Sequence, residues 1–142
     1  MELKELKVKL DNGAYAPIRE HSTDAGLDLK SREEKIIHSK SSEIFDTGIH
    51  VQLPPNTAGM IMSKSGLNVK HNITSTGLID EGYTGSIIVK LYNHGDKDYE
   101  VKKGDKITQL VIVPVAYCTP KIVKDIDENS ERGDKGFGST GK

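Results

Sequence analysis

The chain predicts an all-β domain, a sandwich or barrel of the jelly-roll kind, and three observations carry that reading. Val and Ile number 23, against 18 for Leu, Ala and Met together, and β-branched side chains suit pleated, half-buried surfaces. Apolar residues recur with period two in several short runs. Turn-forming residues punctuate those runs at short spacing, as they do when many short strands build one sandwich or barrel.

Leu6-x-Val8-x-Leu10 predicts an opening strand, ended by Asp11-Asn12-Gly13. Ile49-x-Val51-x-Leu53 predicts another, stopped by Pro54-Pro55-Asn56. One short helical turn is expected around Gly66–Lys70. Ile87-x-Val89-x-Leu91 repeats the alternation up to Asn93-His94-Gly95-Asp96. After Lys103-Gly104-Asp105 comes the denser run Ile107, Thr108, Leu110, Val111, Ile112, Val113, which suits a strand buried on both faces. Residues 1–123 therefore read as one domain without internal repeat or linker. From 124 to 142 apolar residues nearly vanish, Gly appears four times and charges dominate. Such a segment buries too little surface to order itself and reads as a mobile C-terminal arm. It nevertheless carries Phe137 among glycines and hydroxyls.

Composition narrows the function. At 142 residues and 35% apolar content the chain allows one domain. Its 20 basic and 21 acidic side chains leave a net charge of −1, so a nonspecific nucleic-acid partner is not expected. Apolar runs of a few residues predict no membrane span and no membrane partner. The opening MELKELKVKL lacks the pattern of a signal peptide. A single Cys118 excludes an internal disulfide or multi-Cys zinc site and fits a reducing cytoplasm.

Two nucleotide motifs in the arm are set aside. Gly136-x-Gly138-x-x-Gly141 has the form of a dinucleotide fingerprint, and Gly136-x4-Gly141-Lys142 most of a P-loop. Both chemistries need a helix that follows and points its N-terminus at the phosphates, and none is expected after Lys142. What the segment retains is glycine backbone, the hydroxyls of Ser139 and Thr140, and Arg132 nearby, groups able to close over a phosphate.

Four further clusters set glycine beside polar groups at the ends of predicted strands. Asp24-Ala25-Gly26-Leu27-Asp28-Leu29 reads as a turn entering a strand. Ser63-Lys64-Ser65-Gly66-Leu67 combines a cation, a hydroxyl and a glycine, either as an anion nest or as a solvated loop. Gly77-Leu78-Ile79-Asp80-Glu81-Gly82-Tyr83-Thr84-Gly85 is hairpin-like and runs apolar residues directly into Asp80. Gly104-Asp105-Lys106-Ile107-Thr108-Gln109-Leu110 puts a polar Gln109 into an apolar strand, where it must satisfy backbone groups or face a ligand.

The order and spacing of these clusters resemble the five motifs of the trimeric dUTPases. They run as Asp-Ala-Gly-x-Asp-Leu, Ser-Gly-Leu, Gly-x-Ile-Asp-x-x-Tyr-x-Gly, Gly-Asp-x-Ile-x-Gln-Leu and Arg-Gly-x-x-Gly-Phe-Gly-Ser-Thr-Gly. The likeness extends from Asp24 to Gly141. It implies a dUTPase-like jelly-roll barrel and the hydrolysis of dUTP to dUMP and pyrophosphate, which keeps uracil out of DNA and supplies dUMP for thymidylate synthesis. It also implies a homotrimer with active sites at subunit interfaces, residues 124–142 closing over the substrate as a lid.

The resemblance further implies residue roles. Asp80 positions and activates the water that attacks the α-phosphorus. Lys64, Ser65, Gly66, Gln109, Arg132, Ser139 and Thr140 hold phosphates. Mg²⁺ is the expected cofactor, chelated mainly by the triphosphate and reached by Asp28 through water. Backbone groups around Gly77, Leu78, Ile79 and Ile88 read the uracil edge, Tyr83 packs under the sugar and leaves no room for a 2′-hydroxyl, and Phe137 and Gly138 close from above. The chain departs from the pattern at Lys64, where the family usually has Arg, so a point charge replaces a planar fork. Two alternatives share the resemblance: a dCTP deaminase-like enzyme, which would need a Glu where Lys90 stands, and a dUTP-responsive regulatory binding protein.

Overall fold

A computed structural model describes residues 5–137. Eleven strands and one helix follow one another among these residues: β1 (Lys7–Leu10), β2 (Leu27–Lys30), β3 (Lys35–Ile37), β4 (Ser42–Asp46), β5 (Ile49–Gln52), β6 (Thr57–Met62), α1 (Ser65–His71), β7 (Ile73–Thr74), β8 (Thr76–Ile79), β9 (Ile88–Asn93), β10 (Tyr99–Val101) and β11 (Lys106–Pro114). All strand pairs are antiparallel. They form a four-stranded sheet ordered β2-β11-β6-β8, a three-stranded sheet β4-β9-β7, and the pairs β1-β5 and β10-β3. The all-β expectation holds. The hydrogen-bonded sheets stay open, so the arrangement is a set of packed layers and not a closed barrel.

Alternation places the core as the sequence suggests. In β9, Val89, Leu91 and Asn93 are buried while Ile88, Lys90 and Tyr92 face out. In β5, Ile49 and Val51 are buried on either side of His50. These side chains meet Leu29, Ile37, Phe45, Ile73, Ile87, Val101, Ile107 and Leu110 in one cluster. Buried Asn93 is satisfied: its amide donates to the carbonyls of Ile37 and Lys97, and its oxygen accepts the Gly95 N–H.

Two strands depart from the simple reading. Val8 and Leu10 of β1 remain exposed although they stand opposite the buried Val51 and Ile49 of β5, because β5 joins the core cluster and β1 lies outside it. In β11, Ile107, Thr108 and Leu110 are buried, but Val111 to Val113 are only partly covered. A register shift between Lys106 and Thr108 lets the adjacent Ile107 and Thr108 both lie inside. Helix α1 matches the expected turn around Gly66–Lys70 and ends at Asn72 in the left-handed conformation (φ 59°). After β11 the chain continues without strand or helix through residue 137, with Val115 half-buried and residues 116–137 exposed. No helix among the described residues is long and apolar enough to cross a membrane.

Candidate active site

The third sequence cluster forms a cleft. β8 pairs with β6 and β9 with β4 and β7, so the chain from Ile79 to Ile88 is a connection between two sheets rather than a hydrogen-bonded hairpin. Where the sheets diverge they leave a cavity of about 240 Å³ lined by Leu78, Ile79, Asp80, Tyr83, Ile87 and Ile88. Ile79 and Ile87 belong to the core, whereas Leu78 and Ile88 stand exposed at the rim. Gly77 lies on β8 opposite Ile61. The sequence gives no sign that Ile87 lines a site, since its apolar alternation reads only as core.

The turn that carries Asp80 is fastened at several points. Tyr83 N–H donates to the Asp80 carbonyl at 3.0 Å, and the Tyr83 hydroxyl donates to the Ser86 carbonyl at 2.7 Å. Glu81 accepts the Asn56 N–H and the Tyr117 hydroxyl on one oxygen, both at 2.7 Å. The phenol, then the amide, hold the Glu81 carboxyl below its usual range, and the same contact pushes the Tyr117 phenol up. Asp80 itself is exposed.

The first, second and fourth clusters meet on the other part of the four-stranded sheet. Asp28 of β2 is buried, and its carboxylate takes the Lys64 ammonium on one oxygen and that of Lys106, at 3.4 Å, on the other. Lys106 also reaches Glu20 at 3.2 Å, and this bond is the main reason its ammonium is held above the usual range. Gln109 faces Asp28 across β11 and donates from Nε2 to the Ser63 carbonyl at 3.0 Å. A Cβ on Gly26 would sit 2.3 Å from the Gln109 amide oxygen, so Gly26 is required for that approach. Ser65 and Gly66 open α1, whose first N–H groups have no intrahelical partner. Lys106 carries no role in the sequence reading. Its side-chain direction depends on the register shift in β11, which alternation does not reveal.

A metal would find one buried carboxylate here, Asp28. Among the described residues no three His, Cys, Asp or Glu side chains group as metal ligands. The Asp28 carboxylate is already occupied by the ammoniums of Lys64 and Lys106, which does not favour a bare divalent cation. The set does fit an ion brought by a polyphosphate, since Mg²⁺ keeps several waters and needs only one or two carboxylates beside substrate phosphates.

The two groups of residues are far apart within one chain. Asp28, Gln109, Met62 and Thr76 stand in one row across β2, β11, β6 and β8. Three strand spacings across the sheet and four residues along the chain to Asp80 put the backbone positions of Asp28 and Asp80 about 20 Å apart. The arm joins neither group: Arg132 bonds the carbonyls of Lys135 and Gly136 within its own turn, and Phe137 is fully exposed. Gly138, Ser139 and Thr140 lie outside the described residues.

Known proteins resemble the chain in sequence and in fold. The dUTPase family profile matches residues 12–141. The deoxyuridine 5'-triphosphate nucleotidohydrolase of Clostridium acetobutylicum is 47% identical over 140 residues, covering 96% of each chain. The Staphylococcus bacteriophage 80alpha dUTPase with dUPNHPP superposes with a TM-score of 0.92 at 32% identity, over 99% of this chain and 100% of that one. A mutant dUTPase from phage phi11 of S. aureus, whose structure concerns coordination of a structural Mg(II) ion, superposes with a TM-score of 0.82 at 28% identity, over 87% and 99%.

Proposed function

The chain belongs to the dUTPase family, and we propose that it hydrolyses dUTP to dUMP and pyrophosphate with Asp80 positioning the attacking water. The observation that carries this reading is the cleft where Asp80 stands beside Leu78, Tyr83 and Ile88. A carboxylate beside a small cavity lined by Leu78, Ile79, Ile87 and Ile88 suits a flat base held inside and a phosphate held outside. Water adds to the α-phosphorus, the bond from that phosphorus to the bridging oxygen breaks, and pyrophosphate leaves with the electron pair. Asp80 accepts the proton of the water. Help of this kind is worth about 10²–10⁴-fold, and positioning of the phosphates supplies much of the rest.

Exposed backbone beside Leu78 and Ile88 would read the uracil edge, with Tyr83 under the deoxyribose. Lys64, Ser65, Gly66 and Gln109 would hold phosphates. For Lys64 this means exchanging the Asp28 carboxylate for a phosphate oxygen, while Lys106 stays with Asp28. Mg²⁺ on the triphosphate would neutralise charge on the oxygens, Asp28 reaching its water shell.

The separation of about 20 Å between Asp80 and Asp28 supports a composite site. With the base in the cleft and Asp80 at the α-phosphorus, the triphosphate cannot reach Asp28 of the same chain. A second copy supplying its Asp28, Lys64 and Gln109 resolves the mismatch, in keeping with a homotrimer whose sites lie between subunits. Residues 1–123 would form the body, and residues 124–142 the arm that brings Arg132, Phe137, Gly138, Ser139 and Thr140 to a neighbouring site. The location that fits this activity and the single Cys118 is the cytoplasm.

The test is pyrophosphate release by the purified chain with Mg²⁺, from dUTP against dTTP, dCTP and UTP, with ammonia followed in the dCTP reaction. Turnover of dUTP alone is expected. Equal turnover of UTP or dTTP, or ammonia from dCTP, would overturn the reading.

A further inference from the structure

Thr84 follows Tyr83 in the turn that forms the cleft, and its carbonyl is bound from outside the turn by His50. The ring of His50, on β5, meets the Thr84 carbonyl with Nδ1 at 2.8 Å and the Asp11 carboxylate with Nε2 at 2.9 Å. Both partners are acceptors. A neutral imidazole has one N–H and satisfies only one of them, whereas the imidazolium has two and satisfies both. The ring is 22% exposed. The rest of the turn is secured separately, by Gly48 N–H to the Ser86 hydroxyl at 2.9 Å and Ile87 N–H to the Ile49 carbonyl at 2.8 Å.

The charged groups facing the ring come from the β1 side. Lys9 is its cross-strand partner, and Lys7 lines the same concavity of about 350 Å³ with His50, Gln52 and Thr84. Asp11 follows β1 and supplies the anion. The Thr84 carbonyl, then Asp11, favour the proton, burial and Lys9 oppose it, and the ring is held above its ordinary value of 6.5.

We propose that His50 is a positioning residue for the nucleoside cleft: doubly protonated, it ties Thr84 to β5 and thereby sets the ring of Tyr83. This rests on the dUTPase reading above. Stabilisation of this kind is fully present below the ordinary histidine range and is lost as pH rises through the raised native value. Loss of one such hydrogen bond corresponds to about a 3- to 10-fold weaker hold on the nucleoside.

The experiment measures KM for dUTP from mildly acidic to mildly alkaline pH in the full chain, in His50→Gln, in Asp11→Asn, and in His21→Gln as a control beside Asp24. Nitrogen-15 shifts of the His50 ring and the Tyr83 ring resonances are followed over the same range without substrate. Expected are an upward step in KM with rising pH, its absence in His50→Gln at a constantly high KM, its displacement to lower pH in Asp11→Asn, and its persistence in His21→Gln. The Tyr83 resonances should move with the His50 titration. A step unchanged in His50→Gln, or Tyr83 resonances indifferent to the His50 proton, would overturn the proposal. Absence of dUTP turnover would overturn the functional reading instead, and the resonances would still decide whether His50 sets Tyr83.

Discussion

Replacing Gly85 by alanine should disable the cleft while leaving the fold standing. A methyl group there would lie 2.6 Å from the Tyr83 hydroxyl oxygen, 2.7 Å from Cζ and 3.0 Å from Cε1. Carbon atoms pack best at about 3.5–4.0 Å, so the ring must retreat by about 1 Å. Tyr83 is 45% exposed, and the ring can swing toward solvent instead of compressing the core. The stability cost is then mainly the hydrogen bond to the Ser86 carbonyl, about 0.5–1.5 kcal/mol. The kinetic cost is larger, because a group misplaced by about 1 Å can cost about 10²-fold. We expect kcat/KM for dUTP to fall about 10- to 100-fold, or about 1.4–2.8 kcal/mol, with weaker discrimination against UTP. Steady-state pyrophosphate release on both nucleotides reads the kinetic effect, and thermal melts at one protein concentration read the loss of stability. Tyr83→Leu removes the atoms that clash, so adding Gly85→Ala to it should cost little more. Equal costs in the two backgrounds would refute the steric reasoning.

Other perturbations separate the remaining roles. Asp80→Asn should lower kcat about 10²–10⁴-fold with KM for dUTP near its original value; single-turnover rates and dUTP binding check the two halves. Deleting residues 131–142 should remove most turnover yet leave the melting transition in place, since none of the described residues of that stretch belongs to the core. Asp46 is held below its ordinary 3.8, first by the Ser86 hydroxyl and then by the Gly48 N–H and Arg32. Its contribution is therefore present above about pH 4 and lost as pH falls through the lower native value. Asp46→Asn should be less stable than the parent at neutral pH by about 0.5–1.5 kcal/mol, at the low end because the side chain is half exposed. Denaturant titrations should show that gap closing in acid.

Much of the molecule was legible in the chain because period-two alternation is a local property of a strand. It located the buried faces of β5 and β9 from Ile49, Val51, Val89 and Leu91, and turn residues located the breaks between strands. The ordered motifs marked Asp28, Lys64, Asp80 and Gln109 as chemistry-bearing positions. Alternation is silent on which strand lies beside which, and therefore on coverage. The same pattern in β1 left Val8 and Leu10 exposed, because β1 lies outside the core cluster that its partner β5 joins.

The sequence by itself determined an all-β chain, its strand-forming segments and the residues bearing family chemistry. Only the tertiary structure decided that Lys106 joins Lys64 on Asp28, that His50 reaches Thr84, and that Asp80 stands about 20 Å from Asp28 in one chain. The reason is physical: a face is set by neighbouring residues, whereas register, the shift within β11 and the spacing between sheets are set by packing among segments remote in sequence.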